Sequence, residues 1–204
     1  MNTTTLPIGD PASTRARAAA TGLWLFMGVV SALFALFLVA YAMRMEAADW
    51  SPIGMPPQLW LSSALLLAGG LLLQRSATAA QALHHARARG LLLAGGLAAM
   101  AFLGAQLWAW QSLLDARVGL AGNPAASFFY VLTALHGLHV IGGLVAWSIT
   151  VPPAVAPPAE PRRLALRITL CARYWHFLFA VWAVLFAALG WLTPEVVRFI
   201  CGRA

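Results

Sequence analysis

The sequence predicts an all-α membrane protein, a bundle of five transmembrane helices, and three observations predict it. Hydrophobic residues make up 61% of the 204 and charged residues only 9%, against about 25% charge in a typical soluble domain. Five apolar stretches, each free of proline, fall at about 21–43, 59–74, 90–114, 127–150 and 173–192. All six acidic residues (Asp10, Glu46, Asp49, Asp115, Glu160 and Glu195) lie outside those stretches. Mean hydropathy is +0.79. A hydrocarbon core of about 30 Å needs roughly 20 apolar helical residues, which most of these stretches supply.

Taken in order, residues 1–20 are polar, hold Pro7, Pro11, Arg15 and Arg17, and read as a tail ahead of a single transmembrane domain, 21–204. They lack an apolar core followed by a cleavage site, so no signal peptide is expected. After the first span comes a loop with Arg44, Asp49 and three prolines, flanked by Trp50 and Trp60 at belt positions. The second span is short. A polar segment from Arg75 to Arg89, holding His84 and His85, reads as the next loop, and those histidines as solvated. Gly28, Gly95, Gly96, Gly104, Gly137, Gly142 and Gly143 allow close helix approach. Val151–Pro161 (VPPAVAPPAEP) reads as an extended proline-rich linker before a basic segment and the fifth span.

All 13 basic residues are arginine. Arg15, Arg17, Arg75, Arg87, Arg89, Arg162, Arg163, Arg167 and Arg173 share one side of the membrane; Arg44, Arg117, Arg198 and Arg203 share the other. This asymmetry predicts a cytoplasmic N-terminus and a periplasmic C-terminus. It also accounts for the +7 charge as a topology signal, so no nucleic-acid partner is expected. Cys171 and Cys201 are expected at opposite faces, too far apart to bridge.

The fourth span carries His136 and His139 near its middle, on one helix face with Thr133 and Phe129. An ionisable side chain at that depth is costly and needs a partner. The other intramembrane polar groups are Gln106 and His176, with Ser31, Ser62 and Ser63 able to bond back to their own helices. With no intramembrane carboxylate, a proton path through this chain alone is not expected, and no catalytic residue is assigned. An i,i+3 pair cannot provide both axial ligands of one haem. His176 lies about 12 Å shallower than His139 at helical rise, which counts against a shared iron. Two histidines without a nearby carboxylate or thiolate also fall short of a metal site, so no metal or cofactor is expected on the chain. Three roles stay open for the histidines: bonding to neighbouring helices, water or lipid headgroups; ligating a cofactor; handling protons.

FFYVLTALHGLHVIGG and RYWHFLFAVWAVLF, with WSPIGMPPQLWLSSALLL and FLGAQLWAW, resemble blocks of subunit III of haem-copper oxidases, in order over about residues 20–193. Five spans resemble the short bacterial form. The resemblance implies a subunit without redox centres in a proton-translocating terminal oxidase of aerobic respiration, in a bacterial inner membrane. It implies packing beside subunit I, with subunit II in the same complex, haem and copper in those partners, and phospholipid held in a cleft that sustains turnover. His136, His139, His176, Trp175, Tyr174, Gln106 and Thr133 match motif positions and are expected to shape that cleft. Val30 and Ala109 stand where many relatives carry glutamates. A haem- or quinol-binding membrane cytochrome and an accessory chain of a nitric oxide reductase are the alternatives.

Overall fold

The computed structural model describes residues 11–119, 123–155 and 160–200. Six helices follow one another: α1 (Pro11–Arg44), α2 (Gln58–Gln81), α3 (His85–Asp115), α4 (Pro124–Val155), α5 (Pro161–Trp191) and the short α6 (Pro194–Ile200). The first five are long and apolar enough to cross a membrane. No strand occurs among the described residues.

The spans lie where the apolar stretches put them, but the helices run past the ends of those stretches. α1 begins at Pro11, so half of the expected tail is helix. Proline suits a first helical position, and the alanine-rich segment that follows contains no breaker. The expected loop 75–89 shrinks to a turn of three residues, 82–84. Arginines near a helix end reach water with their long side chains, so they do not terminate it. The basic segment 162–173 is likewise the first turns of α5. The proline-rich linker is corrected over residues 151–155, which are helical, while 156–159 lie outside the described residues. Pro152 and Pro153 sit inside the last turn of α4. The carbonyls they leave without a backbone donor lie at the arginine-rich end of the bundle, where water reaches them. Cys201 lies outside the described residues, as do residues 1–10.

Both tight turns use the same closure. His84 N–H bonds to the Ala79 carbonyl and Leu83 N–H to the Ala80 carbonyl, with Leu83 at φ 60. Val118 and Arg117 repeat the pattern on Leu113 and Leu114, with Arg117 at φ 58. These are left-handed caps without glycine.

α2, α3, α4 and α5 form an antiparallel bundle, and α1 leans on α4 and α5. Small residues set the closest approaches. The Cβ that Gly69 lacks would lie 3.3 Å from the Gly95 carbonyl, so α2 and α3 meet at backbone distance. Ser76 donates to the Ala88 carbonyl at 2.7 Å and ties the same pair. Trp147 lies over Gly96 and donates from Nε1 to the Leu92 carbonyl at 2.8 Å, joining α4 to α3. Trp182 of α5 donates to Ser63 of α2 at 2.8 Å. Interhelical bonds of this kind stabilise by about 0.6 kcal/mol each on average. α6 seats Val197 against Tyr41 and Met45 at the end of α1.

Candidate functional site

The fourth helix turns one face inward through Phe129, Thr133, His136, Val140 and Gly143, all buried. That spacing follows the helical repeat. Thr133 accepts from Trp110 Nε1 at 3.0 Å and donates to the Phe129 carbonyl at 2.7 Å. One turn on, His136 is fully buried in an aromatic box. Its ring centroid lies 6.4 Å from Phe34 of α1, 5.7 Å from Phe102 of α3 and 5.2 Å from Trp182 of α5. Neither ring nitrogen has a hydrogen-bond partner among the described residues. His139 is half-buried and donates from Nδ1 to the Leu135 carbonyl at 2.7 Å, which leaves Nε2 as the acceptor. Phe26 and Phe34 of α1 pack on its ring.

Gly142 and Gly143 divide two environments. A Cβ on Gly143 would sit 2.6 Å from Trp175 Cζ3, whereas a Cβ on Gly142 would meet nothing within 4 Å. The Gly143 side is the α4–α5 seam, where Trp175 is completely buried. The Gly142 side is open space, a trough of about 470 Å³ between α1, α4 and α5. Leu23 and Phe26 form one wall, Gly142, Ala146, Ile149 and Thr150 a second, and Leu170, Cys171 and Tyr174 the third. Arg167 brings the one cation to this lining. Tyr174 closes the deep end and donates to the His139 carbonyl at 3.1 Å, so the two motif helices are tied beneath the trough.

Of the residues singled out from sequence, Tyr174 lines the trough and His139 adjoins it through Phe26. Trp175 packs in the seam behind Gly143, and His136 lies away from the trough in its aromatic box. Gln106 lies elsewhere, in the α2–α3 seam, donating to Ser62 at 3.2 Å. His176 faces α2, with Nδ1 3.5 Å from the Cβ position of Gly70. It therefore sits on the far side of α5 from the trough and about two turns from His136, whose level is marked by Trp182. Val30 and Ala109 are both buried, Val30 beside Phe34, Leu132 and Leu185. Among the described residues no three His, Cys, Asp or Glu side chains cluster as metal ligands. Sequence reasoning missed Phe26, Gly142 and Arg167 as trough residues. Arg167 had been counted only as a topology charge, and nothing local separates Gly142 from Gly143.

The trough is apolar along its length with a guanidinium in its lining. No family model matches the chain. Curated proteins do. A cytochrome c oxidase subunit 3 of Synechocystis sp. is 31% identical over 173 residues, covering 81% of this chain and 72% of the relative. One from Bacillus sp. strain PS3 is 26% identical over 174 residues, covering 82% and 83%. A cytochrome bo(3) ubiquinol oxidase subunit 3 of Pseudomonas aeruginosa is 26% identical over 174 residues, covering 82% of each.

Proposed function

The chain belongs to the cytochrome c oxidase subunit 3 family, and from that premise we propose that it packs beside subunit I of a terminal oxidase, with subunit II in the same complex, and holds phospholipid there. As a family member it is a multi-pass membrane protein and an accessory oxidase subunit. Haem and copper are assigned to its partners, and the arginine-rich end of the bundle to the cytoplasm.

The trough is the single observation that carries the lipid assignment. Apolar walls from three helices suit an acyl chain, and Arg167 at the arginine-rich end suits its phosphate. α1 packs mainly against α4 and α5, so a lipid between them would extend its contact with the bundle. Loss of that lipid would loosen α1 and the seam it covers, which gives the chain a way to sustain turnover without a redox group of its own.

Filling the trough tests this. Gly142→Phe projects a ring into it without touching the Trp175 seam, and Arg167→Gln removes the cation. The expected result is less phospholipid co-purified with the oxidase complex and faster loss of activity during turnover, at unchanged haem and copper absorbance. Unchanged lipid content in both variants would refute the lipid assignment. Loss of haem on stripping the whole chain would refute the accessory, non-redox one and favour a haem-binding cytochrome.

A further inference from the structure

Most of the bundle's outward surface is built from large apolar side chains, such as Leu97 of α3, Leu138 and Val145 of α4 and Val29 of α1, all exposed. Acyl chains cover such faces without cost. The face shared by α2 and α5 is different. The two helices run antiparallel in a register fixed by Gln81–Thr169 at 3.1 Å, Gly70 against His176, and Trp182–Ser63 at 2.8 Å. That register puts Gln74 level with Arg173, one turn from His176. Gln74 and Arg173 are exposed and His176 is half-buried. No hydrogen bond or ion pair joins any of the three among the described residues. Beyond them the face carries the small Ala180 and Ala183 beside the larger Leu67, Leu71 and Val184, all exposed.

His176 lies about 22 Å along the helix from Trp191 at 1.5 Å per residue, inside a hydrocarbon core about 30 Å thick. An amide or imidazole facing acyl chains there keeps its desolvation penalty, which a hydrogen-bonding neighbour removes. Small side chains immediately beyond permit a second helix to approach at backbone distance. Among the described residues Arg173 has no carboxylate partner, so its guanidinium is available to an acceptor on a neighbouring helix as well as to water.

We propose that the α2–α5 face is where this chain docks on its neighbouring oxidase subunit, through a transmembrane helix of that subunit that packs on Ala180 and Ala183 and presents carboxylate or carbonyl acceptors to Gln74, Arg173 and His176. The proposal rests on the accessory-subunit reading above. It also separates two jobs in space, since the lipid trough opens on the other side of α5.

The test is retention of the chain by a tagged partner subunit in detergent, with the amount of chain in the membrane before solubilisation as the measure of insertion. Ala180→Trp and Ala183→Trp should insert normally and lose retention at least tenfold. Leu97→Trp and Leu138→Trp, equally bulky but on apolar faces, should be retained like the wild type. Gln74→Leu combined with His176→Leu adds no bulk and should weaken retention about threefold, so the result does not depend on the tryptophan variants folding. A wild-type chain retained while all strip variants are retained equally would overturn the docking face alone and leave lipid as its cover. Loss confined to Leu97→Trp or Leu138→Trp would place the partner elsewhere. A wild-type chain that no oxidase subunit retains would overturn the accessory-subunit reading as well.

Discussion

Two adjacent glycines in one motif should respond to the same substitution in opposite ways. Alanine at either position gains the same helix propensity, about 0.8–1 kcal/mol over glycine. At Gly142 nothing lies within 4 Å of the new methyl, so the variant should be about 1 kcal/mol more stable. At Gly143 the methyl would stand 2.6 Å from Trp175 Cζ3, 3.1 Å from its Cη2 and 3.2 Å from Tyr174 Cε1. Trp175 has little room to retreat, because its side chain is completely buried in the close-packed core. Overpacking of this kind costs about 1–3 kcal/mol. The propensity gain cancels between the two variants, so Gly143→Ala should be about 1–3 kcal/mol less stable than Gly142→Ala, a difference of roughly tenfold in the unfolding equilibrium for each 1.4 kcal/mol. The assay is helix loss by circular dichroism during titration of the detergent-solubilised chain with sodium dodecyl sulfate. If Gly143→Ala unfolds at the same or a higher dodecyl sulfate fraction than Gly142→Ala, the α4–α5 seam is not packed on Trp175 as described.

The imidazole of His136 makes no hydrogen bond among the described residues, so His136→Leu should leave stability within about 1 kcal/mol of wild type; His136→Ala, leaving a void of roughly 60 Å³ at about 24 cal/mol per Å³, should lose about 1.5 kcal/mol in the same titration. Leu83 holds a left-handed cap at φ 60 and is 60% exposed, so Leu83→Gly should stabilise the α2–α3 turn by about 1 kcal/mol, and a lower unfolding midpoint would count against that cap. The Arg44 guanidinium, 2.6 Å from Asp49, holds that carboxyl below the usual carboxylate range. The pair should therefore persist from neutral pH down through the ordinary aspartate value of about 3.9 and break only below it, which the carboxyl resonance of Asp49 would follow by NMR; a midpoint at or above the ordinary value would refute it. For topology, in a Cys201→Ser background, Arg117→Cys should react with a membrane-impermeant maleimide in intact spheroplasts and Arg87→Cys should not. Cys171 is buried and should label slowly even in opened membranes.

Which stretches cross the membrane was settled by the sequence alone, because hydrocarbon admits only long apolar runs whose backbone is satisfied internally. The HGLH and YWHF motifs likewise fall on two of the three helices that line the trough, α4 and α5. Local pattern did not fix where the helices stop. Arginine and proline near a helix end are tolerated once water is within reach, so α1, α4 and α5 outran their apolar cores. Nor did it assign roles within the motifs. Gly142 and Gly143, or Tyr174 and His176, are near neighbours in sequence, and only the rotation of α4 and α5 against their neighbours sends one of each pair to the trough and the other to a packed seam or the outer face. That rotation is set by which side chains the glycines admit, the Trp175 ring of α5 over Gly143 of α4 and the His176 ring of α5 over Gly70 of α2. These contacts pair residues far apart in the chain, and no local period encodes them.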